Sequence, residues 1–162
     1  MLLHQDRLFP SEPIVRSIAR ALYASVCNLP IISPHGHTQA AWFAHNEPFP
    51  NPAMLFVQPD HYVYRMLYSQ GVPMEALEIG QMPMENPRAV WRMFAAHYHL
   101  FRGTPTRMWL DFAFQELFGF EERLSERNAD IYYDRIAELL ATEGFRPRAL
   151  YERFGIEVLA NV

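Results

Sequence analysis

The sequence predicts a mainly helical protein that also holds two short strands. Two observations carry this. Apolar residues recur at helical spacing in segment after segment, each opened by a capping residue or a proline and most closed by a glycine. Against them stand two short apolar runs, Ile31-Ile32-Ser33 and Ile156-Glu157-Val158-Leu159, which read as strands between turn signals.

Ser11 can cap the first helix, with Pro13 in its tolerant first turn. Ile14, Ile18, Leu22 and Val26 then mark one apolar face, which requires a packing partner. Leu29-Pro30 ends this helix and leads into the first strand. Pro30, Pro34, Pro48, Pro50, Pro52 and Pro59 crowd the next stretch, interleaved with Trp42, Phe43, Phe49 and Phe56. Proline disfavours helix at and before its own position, while aromatic residues at this density demand burial. The reading is an ordered, irregular loop of the kind that builds sites.

Asp60 caps a helix that runs to Gln70, with Gly71 beyond its end. Asn86-Pro87 opens the next, with Val90, Phe94, His97 and Phe101 on one stripe and Gly103 as its stop. Thr104-Pro105 opens another, carrying Met108, Trp109 and Phe112 and stopping near Gly119. Asn128 caps a helix whose Tyr132, Ile136, Leu139 and Leu140 face inward and which Gly144 ends. Pro147 starts a short helix to Phe154, and Gly155 breaks it before the second strand. Neither an internal repeat nor a low-complexity tract interrupts this order.

The chain has 162 residues, of which 50% are hydrophobic and 20% charged. That composition excludes a wholly disordered chain. The net charge of −4 argues against a nucleic-acid partner, which calls for a basic excess. All 14 basic residues are arginine, so lysine chemistry such as a Schiff base is excluded. Cys27 is alone and cannot form an intrachain disulfide, in keeping with a reducing cytoplasm. It lies late in an amphipathic helix and reads as a small core residue rather than a nucleophile. The sequence contains no apolar run of membrane-spanning length, and the N-terminus does not read as a signal peptide.

The sharpest chemical feature is Ser33-Pro34-His35-Gly36-His37. In extended backbone, residues two apart point to the same side, so His35 and His37 can present two imidazoles to one metal ion. Gly36 lets the chain fit closely around it. Zinc accepts imidazole nitrogen, and manganese, iron, cobalt and nickel remain open from two histidines alone. The competing reading is a pair of loop histidines that cap backbone groups. Placement after a short apolar strand favours metal, since barrel enzymes put their ligands there. His97 and His99 repeat the pattern, but on a helix two residues subtend about 200°, so their rings diverge and a structural role is expected.

Asp60-His61-Tyr62 forms the other cluster. The free amides of a helix start attract carboxylates there, and Tyr62 offers a hydroxyl for proton transfer or hydrogen bonding. The simpler reading is a capped helix with an aromatic residue packed inward. Arg65 follows one turn later and can reach a substrate carboxylate as a bidentate donor. Glu121-Glu122-Arg123 reads as a solvated turn.

Together these segments resemble the N-terminal part of the uronate isomerases, the glucuronate/galacturonate isomerases of the amidohydrolase superfamily. Three stretches carry the resemblance: the strand ending in Pro34-His35-Gly36-His37; Asp60-His61-Tyr62-Val63-Tyr64-Arg65 followed by Gly71-Val72; and Pro105 to Gly119 with Trp109, then Arg146 to Leu159. The resemblance implies the incomplete start of a distorted (β/α)8 barrel, with two short parallel strands and a large helical insertion. Residues 1–40 then hold the first helix, the first strand and the His-x-His, 41–145 the insertion, and 146–162 a short helix and the second strand.

It also implies that His35 and His37 are paired metal ligands and that His61 and Tyr62 are the catalytic, substrate-contacting pair, as acid/base or as clamps on hydroxyls. Arg65 matches a family arginine without a fixed role and stays the substrate-binding candidate by its reach to a carboxylate. The implied activity is aldose–ketose isomerisation of D-glucuronate or D-galacturonate, with a divalent metal, zinc first and manganese as an alternative. Where the family has histidines around Trp109, this chain has Met108 and Asp111.

A (β/α)8 barrel needs about 250 residues, so at most two of its strands are expected here. The family's metal-ligand aspartate on the last strand and its later substrate-binding arginines and tryptophans are absent from the chain. The expectation is an N-terminal portion inactive by itself, cytoplasmic, acting on a small sugar acid and without nucleic-acid or membrane partners. An apolar strand at Ile156–Leu159 with nothing after it to cover it points to a missing C-terminal portion or to self-association. Two other readings are a metal-dependent hydrolase of the same superfamily, which Asp60-His61-Tyr62 disfavours, and a helical interaction module without catalysis.

Overall fold

The computed structural model describes residues 2–161. In chain order the elements are α1 (Pro13–Val26), β1 (Ile31–Ser33), α2 (Ala40–His45), α3 (Pro52–Phe56), α4 (His61–Ser69), α5 (Pro87–His97), α6 (Pro105–Glu116), α7 (Ala129–Leu140), α8 (Pro147–Arg153) and β2 (Ile156–Leu159). Short 3-10 turns lie before α5, between α5 and α6, and on either side of α7. The chain is mainly helical with two short parallel strands, in agreement with the sequence. It forms two compact units, Met1–Leu2 with Pro48–Thr142, and Leu3–Glu47 with Glu143–Val162.

The first unit is a helical cluster around an aromatic core. Trp91, Phe94, Tyr98, Phe101, Phe114 and Tyr132 are fully buried, as are Val63, Leu67, Ile136 and Leu140. Phe114 meets Tyr132 edge-on at 5.2 Å, and Phe120 stacks on Tyr132 at 3.5 Å. The edge-on contact is the geometry that ring quadrupoles favour. Trp91 also needs a partner for its buried donor, and its Nε1 donates to the Ala129 carbonyl at 2.9 Å. That bond joins α5 to the start of α7. On the surface, Arg88 and Arg92 of α5 both pair with Asp130 of α7. Glu78 is a buried carboxylate, satisfied by the amides of Glu85 at 2.8 Å and Asn86 at 2.9 Å, which fixes the approach to α5.

The caps follow the sequence at Asp60, whose carboxylate accepts from the Tyr62 amide at 2.8 Å, and at Thr104, whose hydroxyl accepts from the Arg107 amide at 3.2 Å. Elsewhere the structure corrects the reading. Ser125 and Asn128 form a reciprocal capping box one turn ahead of α7, so Asn128 closes a 3-10 turn instead of capping the helix with its own side chain. On α7 Tyr133 is buried and Leu139 only half so. On α6 the inward residues are Thr106, Leu110, Asp111 and Phe114, while Trp109 is 59% exposed and Phe112 is exposed too. A stretch read as irregular between residues 30 and 60 contains α2 and α3. The latter starts on Pro52 with Asn51 as cap, the position where proline's missing amide does no harm.

The second unit pairs its strands in parallel, with Ile31 opposite Ile156, Ile32 opposite Val158 and Ser33 opposite Leu159. Arg148 at the start of α8 holds α2: its Nε and Nη2 donate to the Phe43 and Ala44 carbonyls at 2.7 and 2.9 Å. Those carbonyls belong to the helix end, where no intrahelical donor remains. Tyr151 of α8 donates to the Glu157 carbonyl at 2.8 Å, and Gly155 turns the chain into β2 at φ +62°.

Glu12, not Ser11, caps α1, because its carboxylate reaches the amides of both Ile14 and Val15. These two bonds lower its pKa. The apolar face of α1 is exposed within the described residues, and so are Ile31, Ile32 and Val158 of the strands. Cys27 is exposed at the end of α1 rather than in a core, because the face it follows has no covering layer there.

Candidate active site

His35 and His37 leave β1 at its C-terminal end. The extended backbone places both rings on one side, and their Nε2 atoms lie 2.8 Å apart with ring centroids at 4.8 Å. Both side chains are exposed. Two imidazole nitrogens this close must either share a proton or face a common cation. The loop is held from β2: Ala160 donates to the Ser33 carbonyl at 2.9 Å, and the Thr38 hydroxyl donates to Asn161 Oδ1 at 3.1 Å. The Ser33 hydroxyl donates to the His35 carbonyl at 3.0 Å.

Gly36 is required for a reason the sequence did not show. A Cβ there would stand 3.0 Å from the Ala160 carbonyl oxygen and 3.0 Å from a Leu159 methyl. The bare α-carbon lets the histidine loop lie against the end of β2. The donor set fits part of a metal shell, since neutral imidazole nitrogen suits zinc and its neighbours in the first transition row. Among the described residues no third histidine, cysteine, aspartate or glutamate joins the pair.

His61 and Tyr62 lie in the other unit, in the first turn of α4. Their rings meet at 4.2 Å, tilted by 34°. Tyr62 is 62% exposed, so it is not the inward-packed aromatic of the simpler reading. It lines a cleft of about 370 Å³ with Met66, Phe101, Pro105 and Trp109. Arg65 follows one turn later and is exposed. His97 and His99, by contrast, turn to the backbone: their Nδ1 atoms face the carbonyls of Met93 at 2.8 Å and Ala96 at 3.1 Å.

A third cluster escaped the sequence reading. Asp111 is 3% exposed on α6. It accepts from the Tyr98 hydroxyl at 2.8 Å and from Arg107 Nε at 3.0 Å. Burial, together with the Asp111 charge, pushes the Tyr98 phenol pKa well up, so it stays a donor. The available signal was the Arg107/Asp111 spacing, one helical turn apart, with the carboxylate on the same stripe as Phe114.

The chain is similar to known proteins. The glucuronate isomerase family model matches residues 11–162. A uronate isomerase of Sphingopyxis alaskensis is 60% identical over 161 residues, covering 99% of this chain and 34% of that protein. The crystal structure of glucuronate isomerase from Caulobacter crescentus superposes with a TM-score of 0.94 at 56% identity, over 98% of this chain and 34% of that one. A uronate isomerase structure from Thermotoga maritima shares the fold, with a TM-score of 0.84 at 24% identity over 98% of this chain and 33% of that one. The architecture is thus that of the N-terminal portion of uronate isomerase structures. The chain belongs to the glucuronate isomerase family, and it spans about a third of the length of the curated relatives it matches.

Proposed function

We propose that this chain supplies the N-terminal part of a uronate isomerase that converts D-glucuronate or D-galacturonate, each in its ring-opened form, to the 2-keto sugar acid. The observation that carries the reading is the convergence of His35 and His37 at the end of β1 in a chain of this family. In this reading β1 and β2 are the first two strands of a distorted (β/α)8 barrel. Residues 41–145 are the helical insertion between the segments 1–40 and 146–162.

Isomerisation moves one proton from carbon 2 to carbon 1 through an enediol. The aldehyde oxygen becomes a hydroxyl and the neighbouring hydroxyl oxygen a carbonyl, so no outside oxidant is consumed. His61 accepts or returns a proton, and the Tyr62 hydroxyl donates to a sugar oxygen. The tilted contact of their rings keeps the two groups side by side. Arg65 pairs with the uronate carboxylate through its guanidinium fork. His35 and His37 would hold a divalent cation, zinc or manganese, and a bound cation supplies a Lewis acid for charge developing on oxygen.

The test is isomerase activity of the purified chain on both uronates, with zinc or manganese supplied and bound metal assayed. Ketose formation that His35→Ala abolishes would support the reading. No conversion by the chain alone is the outcome expected of an N-terminal third, whereas a folded sample that binds neither metal nor uronate would overturn the reading in favour of a helical interaction module.

A further inference from the structure

We propose that the Pro48–Thr142 unit carries a binding site for a small hydroxy-carboxylate, in the cleft between the end of α5, α6 and the turn before α7. The cleft measures about 410 Å³, within the range of small-molecule sites. His61, Tyr62 and Arg65 take no part in its lining.

Its floor is rigid. Arg107 is held on three sides, with Nε on Asp111, Nη1 on the Tyr98 carbonyl at 2.8 Å and the guanidinium 3.9 Å above the Tyr98 ring. Asp111 beneath it is almost wholly buried. Above this floor stand two arginines with capacity left over, and a histidine beside them. Arg102 is exposed and has no ion-pair partner among the described residues. Arg123 reaches Asp111 only at 3.7 Å and the Leu2 carbonyl at 3.4 Å, with its side chain 63% exposed. His99 directs Nδ1 to a carbonyl, which can only accept, so the proton sits on Nδ1 and Nε2 is left for a ligand.

Carboxylates also face the space. Glu126 lines the cleft, and Asp111 keeps acceptor capacity beyond its two short bonds. A bare dianion would meet these oxygens with like charge. A neutral polyol would leave the arginines unpaired. A molecule with a carboxylate at one end and hydroxyls along its length satisfies both, because guanidinium takes the carboxylate and Glu126 accepts from hydroxyls.

The test is calorimetric titration of the 162-residue chain with D-gluconate, which has the required groups but no aldehyde to isomerise. D-glucitol and inorganic phosphate serve as comparators. The variant pair R102Q/R123Q changes only exposed side chains, and circular dichroism checks that its fold is kept. The expected result is saturable gluconate binding that R102Q/R123Q weakens by about tenfold or more, the loss of a charge-assisted pair. Tyr62→Phe and His35→Ala should leave it unchanged, and glucitol and phosphate should bind more weakly. No saturable binding, equal binding by R102Q/R123Q, or phosphate binding as tightly as gluconate would overturn the proposal. Loss of binding in Tyr62→Phe alone would move the ligand to the candidate active site and overturn it as well, without touching the isomerase reading.

Discussion

The Tyr98 hydroxyl donates to the Asp111 carboxylate at 2.8 Å, and the same carboxylate takes Arg107 Nε at 3.0 Å. A buried charge pair of this kind is costly to break from one side. Asp111→Ala strands the Arg107 guanidinium and should destabilise the chain by about 3 kcal/mol. Tyr98→Phe removes one neutral donor and should cost about 1 kcal/mol. Urea unfolding with an unchanged m-value checks both, and equal costs for the two variants would refute the assigned roles.

Trp91 and Trp109 make a spectroscopic pair. Trp91 is fully buried and bonded to Ala129, whereas Trp109 lines the Tyr62 cleft with much of its indole exposed. Trp91→Phe should cost about 2 kcal/mol through lost volume and a lost bond. Trp109→Phe should be close to neutral in stability yet remove a red-shifted, acrylamide-quenchable part of the emission.

Asp130 joins α5 to α7 electrostatically. Arg92, then Arg88, hold its pKa below the ordinary 3.8. A carboxylate whose pKa falls on folding contributes stability above its unfolded value and loses it as pH drops through the folded one. Thermal stability should therefore fall with acidification below about pH 4. Asp130→Asn should flatten that slope, and salt should shrink the difference between the two proteins because the pair is exposed. An unchanged acid limb in the variant would rule this out.

Gly36 is a packing requirement. Gly36→Ala puts a methyl group 3.0 Å from the Ala160 carbonyl and a Leu159 methyl, so the histidine loop must move by a few tenths of an ångström. Zinc affinity should fall by about tenfold, since ligands must be held to well under an ångström. Helical content should stay the same. Wild-type zinc affinity in this variant would show that the contact with β2 does not position the histidines.

The face of α1 that carries Ile14, Ile18 and Leu22 is exposed within the described residues. Ile18→Glu should alter the folding stability of the chain by no more than about 0.5 kcal/mol, the scale of a surface change. The same variant should bind less of a hydrophobic dye such as ANS. A large stability loss would mean that this face is covered in solution.

Much of the fold was legible because helix ends are local. Asp60, Thr104-Pro105 and Pro147 start helices as their neighbours in sequence dictate, and Gly71 and Gly155 follow helix ends with positive φ. The two strand runs and the same-side geometry of His35 and His37 are also local, since they follow from a two-residue period. The resemblance to uronate isomerases rested on the order of those same short motifs.

What the sequence by itself determined is therefore the succession of elements apart from α2 and α3, the family and the candidates on it. Tertiary structure alone decided which faces are buried and which distant groups meet. On α6 it turned Trp109 outward and Asp111 inward, because Tyr98 offers that carboxylate a donor from outside the helix, beside the Arg107 donor one turn away on it. It assigned Gly36 to the end of β2 and Arg148 to the carbonyls of α2, contacts made across more than a hundred residues of sequence. The physical reason is the same in each case. Propensity and capping act within a turn or two, whereas burial and polar satisfaction depend on partners that only folding brings near.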